Sequence, residues 1–267
     1  MSPVLSATAK AKVLVFIDHS SAQSWSTGIA ISAAAAVAFA SGKPLGVLPA
    51  GTMNLFAAIA DKNGERQFLM AYICSKMLVW AMGMRIEVTG LENLEPGRHY
   101  IFAGNHRSYA DTPALLSTLP GSFRFMAKEG LFQIPLLGHH LRLAGHIPVS
   151  LSNPREALRS LNKAAEMIQE RKISVLIFPE GGRTDGQLDP FKEGAAIIGI
   201  KSGVPIVPFG LIGTREVMPM HEATIRGGAV KVHIGKPIST EGMIFKNKTE
   251  LSVRLRNEVA ALLGVEP

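Results

Sequence analysis

The chain has 267 residues and a net charge of +7, and 47% of its residues are hydrophobic and 18% charged. This length suits one large domain or a domain with an appendage, and the hydrophobic share excludes an intrinsically disordered chain. The single cysteine, Cys74, excludes an internal disulfide and a cysteine-rich metal cluster. Few residues are aromatic and no zinc-finger spacing is present, so we expect the positive charge to serve a partner other than nucleic acid.

The N-terminal part of the chain is apolar and carries little charge. Apolar stretches follow one another at 28–40, 44–60 and 68–84. Each is short or interrupted when compared with the about 20 apolar residues that a membrane-spanning helix needs. We therefore predict that residues 1–84 form a membrane-associated helical region, either lying at the bilayer surface or entering it as a shallow hairpin. Helices buried in an ordinary protein core are the alternative.

From residue 85 onward, short apolar runs alternate with segments of helical periodicity. The predicted strands are 85–88, 100–103, 123–127, 173–178, 206–211 and 230–234. A helix is predicted over 154–172, with an apolar face made of Leu158, Leu161, Ala165 and Ile168. Strands that alternate with helices predict an α/β fold with a mostly parallel central sheet flanked by helices, formed by residues 85–267.

Polar residues follow directly after the second predicted strand. The apolar run ends at Gly104, and His106 therefore lies at a corner between a strand and a helix, where open α/β sheets gather ligands. Ser108 and Asp111 have the spacing of a helix N-cap. On an ideal helix, His106 and Asp111 would be about 140° apart. The carboxylate can fold back onto the imidazole only if the turn between them is not helical.

A histidine paired with a carboxylate can act as a general base. Histidine accepts a proton near neutral pH, and the carboxylate fixes its tautomer and stabilises the imidazolium. The chain has no serine or cysteine nucleophile motif, so the pair of His106 and Asp111 would activate a hydroxyl of the substrate itself. Taken alone, the pair is also compatible with a surface histidine beside a helix cap.

A second polar segment follows the strand predicted at 173–178. Gly181 and Gly182 allow backbone N–H groups to approach an anion, and Arg183 offers a planar fork that matches phosphate. Lys192 supplies a further cation just before a helix. An ordinary turn with a solvated arginine is the alternative interpretation of this segment.

Together, these segments resemble the conserved blocks of the 1-acyl-glycerol-3-phosphate acyltransferase (lysophosphatidate acyltransferase) family. Residues 105–111 resemble its Asn-His-x-Ser-x-x-Asp block, and residues 178–184 resemble its Phe-Pro-Glu-Gly-Thr-Arg-Ser block. Residues 127–138 are similar to the stretch that leads into its second block, and residues 204–208 to its last block. The four blocks occur in the family's order, within residues 52–237.

The resemblance implies transfer of a fatty acyl group from acyl-CoA or acyl-carrier protein to the middle hydroxyl of 1-acyl-glycerol 3-phosphate, giving phosphatidate. His106 would be the general base and Asp111 its orienting carboxylate. Arg183 and Lys128 would hold the phosphate. Five further residues would shape the phosphate loop or support the corner: Glu180, Gly181, Gly182, Asn105 and Ser108.

The resemblance also implies the setting of the reaction. Residues 85–267 would be the acyltransferase domain, held at the cytoplasmic face of the cell membrane, with the lipid bilayer, lysophosphatidate and the acyl donor as partners. No metal and no cofactor besides the donor are implied. His139, His140 and His146 cluster in the sequence, but their spacing is not that of a zinc site.

Two positions depart from the family pattern. Gly182 stands where the family usually has threonine, and Leu151 stands where its second block usually ends in arginine. Either Arg142 or Arg155 could supply the missing cation, or the acceptor could differ from lysophosphatidate.

Three alternatives therefore stay open. The first is the same chemistry on another lysolipid or on glycerol 3-phosphate. The second is a lipid-binding membrane protein without catalysis. The third is a lipid-kinase fragment, because residues 46–54 resemble a glycine loop of diacylglycerol-kinase-like enzymes, although the Gly-Gly-Asp-Gly loop of that family is absent.

Overall fold

The computed structural model describes residues 64–134, 137–150, 153–184, 187–220 and 224–266. Most of the predicted membrane-associated region, residues 1–63, lies outside these residues.

The described residues form one sheet and the helices that cover it. The strands are β1 (Met84–Thr89), β2 (Ile101–Gly104), β3 (Phe123–Lys128), β4 (Ile147–Val149), β5 (Ser174–Ile177), β6 (Ile206–Ile212) and β7 (Gly228–Ile234). The helices are α1 (Glu65–Ala81), α2 (Asp111–Thr118), α3 (Leu137–Leu143), α4 (Pro154–Arg171), α5 (Gly194–Ser202), α6 (Thr214–Val217) and α7 (Lys248–Leu263). Short 3-10 turns lie at Leu91–Asn93, Glu129–Gln133 and Phe245–Asn247.

The sheet of the described residues has seven strands in the order β1-β7-β6-β2-β5-β3-β4. Every neighbouring pair is parallel except β6 and β7, which are antiparallel. The predicted mostly parallel α/β fold is therefore confirmed, and so are the six predicted strands, to within about two residues at their ends. The edge strand β4 escaped prediction because it has three residues and contains a proline.

The core lies on both faces of the sheet, because side chains alternate along each strand. On β2, Ile101 and Ala103 pack with α4, α5 and α7 on one face, and Phe102 packs with the α2 residues on the other. Strands buried on both faces leave their carboxyl ends and the loops that follow as the places where polar side chains can gather.

The apolar spacing of helix α4 predicted the helix correctly but not every buried position along it. Asn153 caps it by accepting hydrogen bonds from two backbone N–H groups, and Pro154 opens its first turn. Leu161, Ala165 and Ile168 are buried as predicted, but Leu158 is 39% exposed. The expected core position at Leu158 was wrong because periodicity identifies a helix face, not how far along the helix the neighbouring core extends.

Helix α1 packs against the domain along one side only. The ring of Phe68 lies edge-on to that of Phe123, with 5.1 Å between their centroids, and Glu65 forms a 2.9 Å ion pair with the buried Arg124. The other side exposes a row of large apolar residues: Leu69, Ile73, Met77 and Trp80. Within the described ranges, none of the helices combines the length and the apolar content needed to cross a bilayer. The predicted boundary between residues 84 and 85 stays a prediction.

Candidate functional site

His106 follows the central strand β2 and therefore lies at the carboxyl edge of the sheet. At its last residue, Gly104, a Cβ atom would lie 2.2 Å from the carbonyl oxygen of Phe209, so the two strands can approach this closely only with glycine there. The amide group of Asn105 then accepts a hydrogen bond from Leu211 N at 2.8 Å and donates one to Leu211 O at 2.9 Å. Asn105 thereby extends the pairing with β6 by one residue and fixes the direction in which the chain enters the corner.

The structure brings the predicted histidine and carboxylate together. His106 Nδ1 lies 2.7 Å from Asp111 Oδ2, and that oxygen also accepts hydrogen bonds from the backbone N–H groups of Arg107 at 2.7 Å and Ser108 at 2.9 Å. Because a carboxylate only accepts, Nδ1 carries the imidazole proton and Nε2 keeps its lone pair. The chain between His106 and Asp111 is not helical. The carboxylate can therefore fold back onto the imidazole, which it could not do across a helical turn.

Ser108 does not cap α2 in the predicted way. The helix begins at Asp111, with Ala110 in the N-cap position and no side-chain cap. The hydroxyl of Ser108 instead donates to Met218 O at 2.8 Å and accepts from Ala110 N at 3.1 Å. The cap prediction was wrong because the Asp111 carboxylate is held by the corner, so the helix starts two residues later than the spacing suggested.

The imidazole of His106 is stacked and largely desolvated. The ring of Phe178 lies parallel to it, with 3.8 Å between centroids and 12° between planes, and only 11% of the His106 side chain is exposed. Burial lowers the pKa of His106 below its ordinary value, and the nearby charge of Arg183 lowers it further, while Asp111 and Glu180 act in the opposite direction. The imidazole is therefore neutral at physiological pH, as a general base must be.

Glu180 joins the two polar loops. Its Oε1 accepts a 2.6 Å hydrogen bond from His106 N, and its Oε2 accepts from Thr184 Oγ1 at 3.0 Å and from Asp189 N at 3.3 Å. The side chain is buried. Both oxygens are thus engaged within the protein, which suits a residue that holds the loops in register. Its predicted place among the substrate-binding residues stays a prediction.

The two glycines of the second loop differ in what they require. Gly181 has a φ of +78°, and a Cβ atom on it would lie 2.4 Å from Lys192 Nζ. Gly182 has no atom within 4 Å of the corresponding position. The threonine usual in the family would therefore fit at residue 182, whereas only glycine suits residue 181.

This difference predicts opposite outcomes for matched alanine substitutions. We expect Gly181→Ala to lower the free energy of unfolding by about 1 kcal/mol or more, because the left-handed conformation strains any side chain. Gly182→Ala should change it by less than about 0.5 kcal/mol. Chemical denaturation of both variants measures this, and equal effects at the two positions would contradict the assigned loop conformation.

Arg183 is a partly buried cation that stacks on an aromatic ring. Its Cζ lies 3.8 Å from the centroid of the Tyr109 ring, and its Nε is buried with no hydrogen-bond partner among the described residues. Burial lowers the pKa of the Arg183 guanidinium, and Tyr109 and Asp111 partly offset this. Arginine nevertheless stays protonated at neutral pH. A stacked guanidinium with unused donors is suited to an anionic ligand.

Replacing Arg183 should change both substrate binding and the pH profile. In Arg183→Met, we expect KM for a phosphorylated acceptor to rise about tenfold or more, since a charge-assisted hydrogen bond is lost. The positive charge that lowers the pKa of His106 is also removed, so the acid limb of kcat/KM should move to higher pH. Arg183→Lys, which keeps the charge but loses the fork, should raise KM without that displacement. An acid limb that stays in place in Arg183→Met would contradict the electrostatic coupling.

Lys128, Arg142 and Arg155 are less closely connected to this corner. The two arginines are those that could replace the cation missing at Leu151. Lys128 ends β3 at the same edge of the sheet, separated from β2 by β5, and is exposed. Arg142 lies over the ring of Phe132, 6.0 Å from its centroid, and Arg155 lies in the first turn of α4. In the described part of the chain, no hydrogen bond or ion pair joins these three to His106 or Arg183. Leu151 lies outside the described residues.

Of the clustered histidines, His146 has a clear structural contact. Its Nδ1 accepts a hydrogen bond from Phe125 N at 3.0 Å, and burial lowers its pKa to about 3. It is therefore neutral and acts as an acceptor for the backbone. Across the described ranges, no group of three His, Cys, Asp or Glu side chains could hold a metal ion.

Sequence reasoning missed three contributors to the site: Phe178, Tyr109 and Thr184. Phe178 stacks on the general-base candidate, Tyr109 stacks on Arg183, and Thr184 N donates to His106 O at 3.3 Å. All three lie inside the two motifs, so the sequence placed them near the site. It could not predict their roles, because the contacts that define those roles join one loop to another.

Comparisons with known proteins agree with these motifs. Residues 85–212 match the family model described as Acyltransferase. The chain is 40% identical over 157 residues to a chloroplastic 1-acyl-sn-glycerol-3-phosphate acyltransferase of Brassica napus, covering 58% of this chain and 45% of the relative. It is 29% identical over 203 residues to 1-acyl-sn-glycerol-3-phosphate acyltransferase alpha of Homo sapiens, covering 76% of this chain and 71% of the relative.

A solved structure has the same fold. The crystal structure of the 1-acyl-sn-glycerophosphate acyltransferase from Thermotoga maritima matches with a TM-score of 0.66 and 24% identity, covering 80% of this chain and 87% of that one. The chain thus spans less than half of the Brassica napus relative but most of the Thermotoga maritima protein. Residues 85–212 therefore form a domain of the acyltransferase family, as the four motifs predicted.

Proposed function

We propose that this protein transfers a fatty acyl group from a thioester donor to the middle hydroxyl of 1-acyl-glycerol 3-phosphate, giving phosphatidate. The observation that carries the proposal is the corner at which a neutral, carboxylate-bound imidazole lies beside a stacked guanidinium whose Nε has no hydrogen-bond partner among the described residues. The first group suits a hydroxyl that must lose a proton, and the second suits the phosphate of the same molecule.

In the proposed reaction, His106 Nε2 accepts the proton of the acceptor hydroxyl as its oxygen attacks the thioester carbonyl carbon. A new C–O bond forms, the C–S bond breaks, and the leaving thiolate takes the proton from the imidazolium. Asp111 stabilises the imidazolium in between, through the 2.7 Å contact with Nδ1. The substrate supplies the nucleophile, and no metal or bound cofactor takes part in the proposal.

Arg183 would position the acceptor by binding its phosphate, with Tyr109 holding the guanidinium plane in place. Lys128 would bind the same phosphate from two strands away, provided that the acceptor extends across the carboxyl edge of the sheet. The open space at Gly182 would leave room for the ligand, and Glu180 would keep the loop in register with His106.

A panel of acceptors and donors tests this function. Purified full-length protein is supplied with acyl-CoA and, separately, with lysophosphatidate, lysophosphatidylcholine or glycerol 3-phosphate. We expect turnover of lysophosphatidate above the others. Turnover of another acceptor alone would overturn the proposed substrate and favour the alternative that Leu151 suggests. Acyl-carrier protein replaces acyl-CoA in a second series, which decides between the two donors.

We also propose that the protein works at a bilayer surface, on the cytoplasmic face of the cell membrane. The row of exposed apolar residues on α1 supports the contact with a bilayer, because Leu69, Ile73, Met77 and Trp80 are between 40% and 65% exposed and lie on one side of the helix. Serine substitutions at Leu69 and Ile73 should weaken partition onto phospholipid vesicles. Unchanged partition would remove α1 from the proposed membrane contact.

A further inference from the structure

Lys192 places an ammonium group against the second loop of the site. Its Cδ, Cε and Nζ atoms lie 3.2, 3.0 and 2.4 Å from where a Cβ atom of Gly181 would be. The lysine side chain therefore occupies the space left by the missing side chain of Gly181. Its charge lies over the loop that contains both Glu180 and Arg183.

The backbone around Lys192 is held in place from two directions. Lys192 N donates a 2.9 Å hydrogen bond to Pro179 O, which ties it to the start of the loop. Ser252 Oγ, on α7, donates to the carbonyl oxygens of Phe191 at 3.4 Å and Lys192 at 3.2 Å. The backbone of Lys192 is thus fixed by the fold, and from there its side chain extends across Gly181.

Two acidic residues close to Lys192, its neighbour Glu193 and the loop residue Glu180, are engaged elsewhere. The adjacent Glu193 forms an ion pair with Lys248 and accepts a 2.6 Å hydrogen bond from Thr249 Oγ1, and these contacts lower the pKa of Glu193. Both oxygens of Glu180 accept hydrogen bonds from His106, Thr184 and Asp189. In the part of the chain that the structure describes, the Lys192 ammonium has neither an ion pair nor a hydrogen bond.

We propose that Lys192 is a further substrate-binding residue, whose ammonium pairs with a phosphate group that lies over the Gly181 loop. A cation with no counterion among the described residues, beside a stacked arginine whose Nε is also unpartnered there, is an arrangement suited to a dianionic ligand. This inference rests on the proposed function and adds a residue to the same site. The phosphate belongs either to the acceptor or to the phosphorylated part of the acyl donor.

Binding and kinetics of matched variants test the proposal on the full-length protein. Lys192→Met removes the charge and Lys192→Arg keeps it, and Lys201→Met serves as control because Lys201 is exposed in the last turn of α5. Binding of glycerol 3-phosphate and of coenzyme A is measured by calorimetry. KM and kcat are then measured for lysophosphatidate and for acyl-CoA.

We expect Lys192→Met to raise Kd or KM for one of the two phosphorylated substrates by about tenfold, with kcat changed less than about twofold, since a charge-assisted contact is lost. Lys192→Arg and Lys201→Met should stay close to the unsubstituted protein. A loss confined to glycerol 3-phosphate and lysophosphatidate assigns the acceptor phosphate, and a loss confined to coenzyme A and acyl-CoA assigns the donor.

Two results would overturn the inference. One is that Lys192→Met binds both probes as tightly as the unsubstituted protein, and the other is that only its kcat falls. Failure of the proposed function is distinguishable, because it would appear as absent turnover in the unsubstituted protein, while the calorimetric comparison would still decide whether Lys192 binds phosphate.

Discussion

His106→Ala is expected to lower kcat for acyl transfer by at least about 100-fold, because a positioned general base contributes about that much or more to a proton transfer. The structure makes the expectation specific: Nε2 is the only imidazole nitrogen with a free lone pair, since Nδ1 is bonded to Asp111. KM for the acceptor should change little, because Arg183 and not the imidazole is expected to bind the phosphate. Release of coenzyme A thiol measures the rate.

The matched control is His139→Ala, which removes an exposed histidine of α3 and should leave the rate unchanged. Denaturation curves establish that both variants are folded. A folded His106→Ala protein with undiminished turnover would exclude the imidazole from the mechanism. Undetectable acyl transfer by the unsubstituted protein, together with retained lysolipid binding, would instead favour the alternative of a non-catalytic lipid-binding protein.

Asp111→Asn should lower kcat by about 100-fold or more with little change in side-chain volume, because the amide oxygen can replace Oδ2 as an acceptor but the negative charge that stabilises the imidazolium is lost. The carboxylate also raises the pKa of His106, through its hydrogen bond and its charge. Its removal should therefore move the acid limb of the residual activity to lower pH, the direction opposite to that expected for Arg183→Met. A pH–rate profile of kcat/KM measures both effects.

Ser108→Ala separates this electrostatic role from the structural role of the corner. It removes the 2.8 Å hydrogen bond to Met218 O but leaves the backbone contacts to Asp111 intact. We expect a smaller loss of activity and no displacement of the acid limb. If Ser108→Ala and Asp111→Asn gave the same loss and the same pH profile, the carboxylate would be acting only as part of the turn.

Local patterns in the sequence were sufficient to predict the fold class and to identify the candidate site residues. The predicted strands correspond to β1, β2, β3, β5, β6 and β7. The central strands β2, β5 and β6 could be recognised without their neighbours because strands buried on both faces form continuous apolar runs. The motif around His106 and the one around Arg183 could be placed at the ends of β2 and β5 for the same reason. The pairing of those two strands, which makes the motifs neighbours, followed only from the sheet order.

The tertiary structure decided how each candidate side chain is used. Glu180 was expected to shape the phosphate loop, and the structure shows that its two oxygens accept hydrogen bonds from both loops. Ser108 was expected to cap the helix, but the helix begins at Asp111 with Ala110 in the N-cap position. The stacking of Phe178 on His106, the stacking of Arg183 on Tyr109 and the approach of Lys192 to Gly181 are likewise contacts between different loops. Sequence alone determined which chemical groups were available at this edge of the sheet, because strand periodicity and motif spacing are local properties. The partners of those groups were decided by the tertiary structure, because hydrogen bonding, desolvation and charge depend on residues that are distant in the chain.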